Sequence, residues 1–384
     1  MALTRLRIVH VPGLTSFKYG GFERFMFAMA DECAARGHRF AIVWEKRPTS
    51  DAFCEDLAAA GAETLVLPAR GHAFPFMARL TRRLERIGAD VVHGHFNPAG
   101  TLAVVAARLA GVPLVLATNR SGMPQWLQTQ GLPLRSRLVA MARRSFSARV
   151  FTVSRTVASQ YARLGLGGCR LVPRYTGVPL IRPSRSRDEV RATFGFDAED
   201  LVIGCVAFPD PIKGVDVLLR AMPRLAEVVP RVKLLQVGCA PDAEQTRRLR
   251  HLAENLGVAD RVVWAGRRDD VPDLLPALDV YCQPSRSEGL PLGILEAMGS
   301  GLAVVATSVG GIGEAVISGR TGMLVPPDRP ERIADALGEL LRNPSQRRRM
   351  GRCGRERIRR HFVLEKQTRE LVDTYEAMWR TIRG

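Results

Sequence analysis

Short apolar runs alternate with longer stretches of helical periodicity along the whole chain, and this pattern predicts strands that alternate with helices. In the first half, the predicted helices include 22–35 and 136–147. The predicted strands of this half are 7–11, 39–43, 64–67, 91–93, 114–117, 150–153 and 170–172. Strands separated by helices in this way are typical of parallel sheets that are covered by helices on both faces.

The same pattern starts again after a segment rich in proline and arginine, 179–187. The second half has a predicted helix from Val215 and predicted strands at 202–206, 233–237, 262–265, 280–283 and 303–306. A chain of 384 residues is too long for one compact core. We therefore predict a first domain over 1–178, a linker over 179–198, a second domain over 199–361, and a C-terminal helix over 362–384 that packs back on the first domain.

The sequence gives no sign of a secreted or membrane-spanning protein. The first residues run directly into a predicted strand, so we expect no signal peptide. The longest apolar tract, 101–118, is interrupted by Arg108, Gly111 and Pro113, which predicts a helix followed by a strand. Seven scattered cysteines without a Cys-x-x-Cys pair argue against a disulfide framework and a zinc site. We expect a cytoplasmic protein.

Positive charge is concentrated in the first half. The formal net charge is +18, and the stretch between Asp90 and Asp188 contains fourteen arginines and no acidic residue. Uncompensated positive charge of this kind creates an electrostatic field that attracts anionic lipid, nucleic acid or phosphorylated substrates. A general preference for arginine over lysine would explain the arginines, but it explains the missing acids less well.

The most informative run is 287–314, SEGLPLGILEAMGSGLAVVATSVGGIGE. Glu288 follows a predicted strand, and Glu296 lies in the next helix, with seven residues between the two. A glycine-rich turn that leads into a helix N-terminus presents free backbone N–H groups, which suit a diphosphate. For an isolated pair of glutamates, a helix cap and a solvated surface residue would be the simpler interpretation.

This run resembles the donor site of the retaining glycosyltransferases of family 4. That site has a Glu, seven residues and a second Glu, then Ala-Met-x-x-Gly and Val-Gly-Gly-x-x-Glu. The matching residues are Glu288, Glu296, Ala297, Met298, Gly301, Val309, Gly310, Gly311 and Glu314. The resemblance covers most of the chain and implies an α/β GT-B fold, in which two Rossmann-like, doubly wound domains face each other across a cleft. The donor would bind the second domain and the acceptor the first.

The resemblance also assigns roles to residues of the second half. It implies that Glu288 lies beside the donor sugar as a catalytic residue and that Glu296 accepts hydrogen bonds from the ribose hydroxyls. The other implied donor-binding residues of this half are Lys213, Gly214, Gly266, Arg267, Gly289, Leu290, Leu292 and Gly293. Among them, Gly266 and Arg267 would contact the nucleotide base, and the backbone of the 289–293 loop would hold the sugar and the distal phosphate.

One residue of the phosphate site departs from the family pattern. Lys213-Gly214 matches the family's Lys-Gly, but the arginine expected five residues upstream is Phe208. One of two phosphate-neutralising cations is therefore missing. Another arginine such as Arg286 or Arg120 could substitute, donor binding could be weaker, or the site could be degenerate. We favour substitution.

Two loops of the first half complete the resemblance. Gly20 and Gly21 match a Gly-Gly loop that approaches the donor phosphates, and His95 in His93-Gly94-His95 matches a histidine near the reacting sugar. We predict His95 to be catalytic, although a lone histidine at a strand end is more often structural. The family's Asn-Gly-Val is replaced by Thr176-Gly177-Val178, in a run that begins at Arg174.

No Asp-x-Asp occurs in the sequence, so the metal-dependent transferases are a poor match. We expect no metal site and no cofactor, with positive charge from Lys213, a helix dipole and arginines stabilising the leaving diphosphate. The predicted function is metal-independent, retaining transfer of a hexose-type sugar from a nucleoside-diphosphate sugar. The acceptor would be a glycan or a lipid-linked molecule of cell-envelope or exopolysaccharide assembly.

Other interpretations of the sequence remain. A non-catalytic or partner-dependent subunit of a transferase pair would explain Phe208. A basic nucleic-acid-associated protein would explain the charge, but no aromatic-rich strand, zinc pattern or recognition helix accompanies it, so we expect no nucleic acid partner. A phosphorylase would be a larger chain, and an epimerase would lack the glutamate pair.

The predicted helix 136–147 has arginines and apolar residues suited to the surface of a membrane. Arg137, Arg143 and Arg144 are the predicted membrane-binding residues. The predicted apolar contacts are Leu138, Val139, Met141, Ala142 and Phe146. An ordinary domain helix with solvated arginines is the alternative. We expect peripheral attachment to the anionic inner face of the cell membrane.

Overall fold

The computed structural model describes residues 5–13, 16, 19–68, 73–96, 99–122, 133–166, 170–180, 183–240 and 242–383. Within them the chain forms two compact units. Unit 1 comprises residues 1–177 and 364–384, and unit 2 comprises residues 178–363.

Parallel strands alternate with helices in unit 1. The strands are β1 Arg7–Val11, β2 Arg39–Trp44, β3 Glu63–Val66, β4 Val91–Gly94, β5 Leu114–Asn119, β6 Arg149–Thr152 and β7 Leu171–Pro173. The helices are α1 Gly21–Ala35, α2 Asp51–Ala59, α3 Ala73–Ile87, α4 Ala99–Leu109, α5 Leu134–Phe146 and α6 Arg155–Tyr161, which continues into a π-helical turn, Ala162–Leu166. The strand order β3-β2-β1-β4-β5-β6-β7 places β1 next to β4.

Unit 2 repeats this plan. Its strands are β8 Leu201–Val206, β9 Val232–Val237, β10 Val262–Gly266, β11 Val280–Gln283, β12 Val304–Thr307 and β13 Gly322–Val325, in the order β10-β9-β8-β11-β12-β13. Its helices are α7 Arg187–Thr193, α8 Val215–Val228, α9 Glu244–Asn255, α10 Val271–Leu274, α11 Leu292–Gly299, α12 Ile312–Ala315, α13 Pro330–Arg342 and α14 Pro344–His361. The last helix of the chain, α15 Leu364–Arg383, belongs to unit 1.

The predicted strands are confirmed, with each end within two residues of its predicted position. Strand β13 was not predicted. It is short, begins with a glycine and pairs with β12 alone. Gly322 lies so close to the Val304 carbonyl that a Cβ at this position would overlap it, so the backbone approach requires the glycine that weakens the strand pattern.

Each sheet is buried on both faces, as expected for parallel sheets. In unit 1, Ile8 and Leu116 belong to an apolar cluster on one face, and Val9 and Val115 to a cluster on the other. Since successive side chains of a strand point to opposite faces, β1 and β5 contribute to both clusters. The largely apolar sequences of these strands follow from this double burial.

Helix α15 packs on the unit 1 face that α1 also covers. Its buried residues are Leu364, Thr368, Leu371, Val372, Tyr375 and Trp379, which recur at helical spacing along one side. Polar contacts fix its position: Asp373 accepts from Arg36 at 2.6 Å, and Thr374 Oγ1 accepts from Arg174 at 2.7 Å. The final helix is therefore part of the core of unit 1, although unit 2 precedes it in sequence.

Residues 179–198 include helix α7, which lies within unit 2. Ser186 caps α7 and Glu189 completes a capping box. Arg187 donates to the carbonyls of Pro276 and Leu278 at 2.8 and 2.9 Å and pairs with Asp279 at 3.0 Å. These contacts join α7 to the start of β11. Among the described residues, no helix is long and apolar enough to cross a membrane.

Candidate functional site

The Lys213 ammonium and the Glu288 carboxylate form an ion pair in unit 2. Lys213 Nζ donates to Glu288 Oε1 at 2.8 Å and lies 3.0 Å from Oε2. Lys213 ends a short 3₁₀ turn after β8, and Glu288 lies in the loop after β11. Because β8 and β11 are neighbours in a parallel sheet, their carboxyl ends meet at one edge. The structure thus brings together two residues that the sequence assigns to the donor site.

Two further polar residues, which sequence reasoning missed, hold this carboxylate in place. Ser285 Oγ donates to Glu288 Oε1 at 2.8 Å, and Gln283 Nε2 lies 3.3 Å from the same oxygen. Gln283 is itself held by the Tyr281 hydroxyl at 2.9 Å. Polar residues on both sides of Pro284, at the end of a buried strand, were the signal available in the sequence. With Glu288 buried, these donors restrict its carboxylate to one orientation.

Glycines allow the loops around Glu288 to pack closely. Gly214 has φ +65 and Gly310 has φ +52, a region that favours glycine. A Cβ on Gly214 would overlap the Pro284 carbonyl, and one on Gly310 would overlap the Glu288 carbonyl. Gly311 N also donates to Gly289 O at 2.8 Å. The sequence spacing from Glu288 to Gly310 and Gly311 therefore reflects backbone contact between the loop after β11 and the loop after β12.

The other predicted donor-site residues lie on the elements around this pair. Gly289 and Leu290 are buried in the loop, and Leu292 and Gly293 begin α11 half-buried. Gly266 ends β10 with φ +67, and the next residue, Arg267, is exposed.

Glu296, in the middle of α11, is half-buried. It borders a small hollow of about 20 Å³ with Leu180, Pro272, Leu275, Gly299 and Ser300 among its other lining residues. This hollow has room for about one water molecule.

Phe208 stands at the position of the missing arginine with 44% of its surface exposed. Arg286, one candidate substitute, forms a two-pronged contact with Asp216 at 2.8 Å and a second ion pair with Asp328 at 2.6 Å. Arg120, the other candidate, lies over the rings of Phe22 and Phe25, 4.8 and 4.5 Å from their centres. Both guanidinium groups therefore have partners within their own units.

The Gly20–Gly21 loop of unit 1 leads directly into α1. Gly20 is the N-cap, and its N–H donates to Glu23 Oε2 at 3.1 Å. Gly21 is the first residue of the helix, and both glycines are partly exposed. Their backbone is therefore accessible at a helix N-terminus.

His95, the predicted catalytic histidine, is completely buried directly after β4. Its Nδ1 lies 3.4 Å from Arg120 Nε, and its Nε2 lies 3.1 Å from His10 Nδ1. Burial, with the charges of nearby arginines, lowers the pKa of His95 well below its usual range. His95 is therefore neutral at physiological pH, and both ring nitrogens have partners.

The prediction that Arg143 binds a membrane is wrong. Its side chain is 2% exposed, and its guanidinium donates to the carbonyls of Gly94 and Thr118 at 3.2 Å and to that of His95. A buried guanidinium that binds three carbonyls cannot reach a lipid surface, and it instead anchors α5 to the ends of β4 and β5. Arg137 and Arg144 are exposed.

Arg174, where the sequence departs from the family pattern, connects β7 to the C-terminal helix. It lies over the Phe151 ring, 5.4 Å from its centre, and donates to Thr374. The arginine therefore has a structural role within unit 1.

Comparisons with known proteins agree with this fold. The model of Glycosyltransferase Family 4 matches residues 19–182, and that of Glycosyl transferases group 1 matches residues 186–357. HepE of Anabaena, solved in complex with UDP-glucose, superposes with a TM-score of 0.82 at 20% identity, covering 97% of this chain and 100% of that one. The family models and the fold thus define a glycosyltransferase of the GT-B class, and the predicted fold class is confirmed.

Sequence relatives give the same result. The GDP-mannose-dependent alpha-(1-6)-phosphatidylinositol monomannoside mannosyltransferase of Mycolicibacterium smegmatis is 31% identical over 370 residues, which cover 90% of this chain and 91% of that protein. The lipopolysaccharide core mannosyltransferase LpsB of Rhizobium meliloti is 29% identical over 203 residues, 52% of this chain and 58% of that protein. This chain belongs to glycosyltransferase family 4.

Proposed function

We propose that the protein is a retaining hexosyltransferase that uses a nucleoside-diphosphate sugar, with GDP-mannose the first donor to test. The Lys213–Glu288 pair carries this proposal, because it sets a cation and a carboxylate side by side at the carboxyl edge of the unit 2 sheet. The mycobacterial relative, similar over most of the chain, is named for its use of GDP-mannose.

Lys213 would bind the diphosphate of the donor, and Glu288 would bind its sugar. The Lys213 side chain is 28% exposed, so its ammonium can approach a phosphate while Glu288 remains beside it. An ammonium stabilises the negative charge that grows on the leaving diphosphate. Glu288 accepts from Ser285 and Lys213 mainly through Oε1, which leaves Oε2 better placed to accept from a sugar hydroxyl.

Retention would follow from attack on the face that the diphosphate leaves. The departing diphosphate takes the acceptor proton, and the protein contributes positioning and electrostatic stabilisation. We propose that no metal is needed, because Lys213 and the backbone N–H groups at the start of α11 supply the positive charge.

The acceptor would be lipid-linked, and helix α5 would bring the enzyme to the membrane. Exposed Leu134, Leu138 and Met141 share this helix with exposed Arg137 and Arg144. The mycobacterial relative is named for a phosphatidylinositol-based acceptor. Apolar side chains beside arginines suit the boundary between lipid headgroups and acyl chains.

The test is release of free nucleoside diphosphate from a panel of donors, with and without membrane lipid extract and with excess chelator. We expect GDP release from GDP-mannose that depends on lipid and persists in chelator, and a product that keeps the anomeric configuration of the donor. An inverted product would exclude retention, and loss of activity in chelator would exclude metal independence.

A non-catalytic subunit is the second candidate, and it is favoured by Phe208 together with the engaged state of Arg286. It predicts no nucleoside diphosphate release from any donor by the isolated chain. Activity would then appear only when a partner transferase is added.

A further inference from the structure

A pocket of about 520 Å³ lies at the amino edge of the unit 1 sheet, where β1, β2 and β3 begin and α3 ends. Its apolar lining includes Ile8, Phe40 and Ala41, which are buried. The charged lining consists of one acidic residue, Glu63, and five arginines: Arg5, Arg7, Arg39, Arg83 and Arg86. Pockets that hold small molecules have volumes of roughly 300–1,000 Å³. The size therefore suits a small molecule, and the charge favours an anion.

The strand register brings two of these arginines together. Arg7 and Arg39 are the first residues of β1 and β2 and are paired in register. Side chains two positions apart on a strand point to the same face, so Arg7 and Arg39 share the faces of Val9 and Ala41. Val9 and Ala41 pack in one apolar cluster with Leu84 of α3. Both guanidinium groups therefore start on the face of the sheet that α3 covers.

Helix α3 adds further positive charge at the same place. Arg83 and Arg86 are three positions apart and hence neighbours on the helix surface. The negative end of the helix dipole explains a cation in the last turn of α3, where Arg86 lies. It does not explain Arg5 and Arg39, which belong to other elements. Like charges from several elements repel one another, and a bound anion would offset that repulsion.

Most of this positive charge is not neutralised by the protein. Arg83 Nη2 lies 3.4 Å from Glu63 Oε1, and Arg7 Nε lies 3.6 Å from Asp90 Oδ2. The other three arginines are exposed and form no ion pair with any residue that the structure describes: Arg5, Arg39 and Arg86. Their guanidinium groups can therefore turn toward a ligand without losing an acidic partner.

Arg7 is held in position at the wall of the pocket. Its Nη1 donates to the Ile87 carbonyl at 3.2 Å. The next residue, Gly88, has φ +61, and a Cβ there would lie 2.6 Å from Arg7 Nη1. The glycine thus ends α3 and also leaves room for the guanidinium. A cation that is fixed before the ligand arrives lowers the entropy cost of binding.

We propose that this pocket binds a ligand that carries a diphosphate group. Arg5, Arg39 and Arg86 would donate to the phosphate oxygens, and Arg7 would add a fixed positive charge. A diphosphate suits three unpaired guanidinium groups better than a single phosphate, because each phosphate can accept a two-pronged contact from its own arginine.

The pocket is separate from the part of unit 1 that is predicted to approach the donor. The Gly20–Gly21 loop follows the carboxyl end of β1, whereas the pocket lies at its amino end. Five residues of strand, at about 3.3 Å each, separate the two ends by roughly 16 Å. The ligand of this pocket is thus a second one, and the proposal does not depend on the transfer reaction.

Binding of pyrophosphate, measured by titration calorimetry on the full chain, tests the proposal. All proteins carry Lys213→Ala/Glu288→Gln, which removes the cation of the proposed donor site together with its buried partner. The pocket variant adds Arg39→Gln/Arg86→Gln. The matched control adds Arg82→Gln/Arg369→Gln, two exposed arginines of unit 1 that lie outside the pocket.

We expect pyrophosphate to bind the background protein and the control with affinities within threefold of each other. The pocket variant should bind about 100-fold more weakly, or about tenfold for each charge-assisted hydrogen bond that is lost. If the pocket variant does not fold, Arg39→Gln and Arg86→Gln as single changes should each weaken binding about tenfold. No pyrophosphate binding by the background protein, or an equal loss in the pocket variant and the control, would overturn the proposal.

A second probe separates the two sources of a diphosphate, a soluble molecule and a lipid. Farnesyl diphosphate has the same charged group as pyrophosphate with an apolar chain attached. Tighter binding than pyrophosphate, lost in the pocket variant, would support the site and assign it a lipid-linked diphosphate. Equal or weaker binding that is lost in the same variant would support the site and assign it a soluble ligand. Farnesyl diphosphate binding that the pocket variant retains in full would contradict a diphosphate site here.

Discussion

Lys213 Nζ lies 2.8 and 3.0 Å from the two carboxylate oxygens of Glu288, joining residues 75 positions apart in sequence. Each is also a predicted donor-site residue, so the pair is both a link between two loops and a source of charge for a diphosphate. Variants of the two residues should separate these roles.

Lys213→Ala should remove the cation that stabilises the diphosphate. We expect kcat/KM for the donor to fall about 100- to 1,000-fold, the size of effect seen when one electrostatic stabiliser is lost. Buried Glu288 would also lose its ion-pair partner, which lowers the melting temperature of unit 2. Steady-state kinetics and calorimetry measure the two effects. The double variant Lys213→Ala/Glu288→Gln should regain stability but not activity, whereas regained activity would exclude Lys213 from the reaction.

Glu296→Ala should weaken donor binding. If Glu296 accepts hydrogen bonds from both ribose hydroxyls, their loss costs roughly 2–4 kcal/mol. Donor KM should rise more than kcat falls, and titration calorimetry with the nucleoside diphosphate measures the affinity. Glu331→Ala is the control, since Glu331 is exposed in the first turn of α13 and lies outside the donor-site run. Unchanged affinity in Glu296→Ala would remove this residue from the donor site.

The buried histidines should make unit 1 sensitive to acid. The pKa values of His10, His93 and His95 in the folded state lie below their usual value of 6.5. Below pH 6.5 the unfolded chain therefore takes up protons that the folded chain excludes, and the free energy of unfolding falls by up to about 4 kcal/mol per pH unit for three groups. This stability is fully present above pH 6.5.

Denaturant unfolding at pH 7.5, 6.5 and 5.5 measures this loss. His93→Gln removes one of the three titrating groups, so the slope against pH below 6.5 should fall by about one third. Replacing exposed His251 by Gln is the matched control, and it should leave the slope unchanged. A wild-type stability that does not change from pH 6.5 to 5.5 would contradict neutral, buried histidines.

Arg137→Ser/Arg144→Ser should weaken binding to anionic vesicles. Near an anionic surface each arginine contributes about 1 kcal/mol, so removing two should weaken binding about 30-fold. Co-sedimentation with neutral and anionic vesicles measures this, and high salt should release the wild type. The control, Arg348→Ser/Arg349→Ser on α14, removes the same charge from other exposed arginines. An equal loss of vesicle binding in the two double variants would show only a general effect of net charge. Unchanged binding in Arg137→Ser/Arg144→Ser would exclude α5 as the membrane-binding helix.

Sequence periodicity predicted most of the fold, because buried parallel strands are nearly all apolar and the helices between them are amphipathic. The strand β13 was missed, since its pairing depends on Gly322 approaching Val304 and not on a pattern within the strand. The spacing in 287–314 identified the family because its glycines are required by close backbone contacts with the Glu288 loop.

The tertiary structure alone decided what each charged or polar side chain contacts. Arg143 and Arg144 are adjacent in one helix, and the sequence predicted the same role for both, yet the helix turns Arg143 into the core and Arg144 to solvent. The contacts of Tyr375 with His10 and His93 span more than 280 positions, so no local pattern predicts them. Periodicity within an element is set by local geometry and can be seen in sequence, whereas contacts between elements depend on how the chain packs.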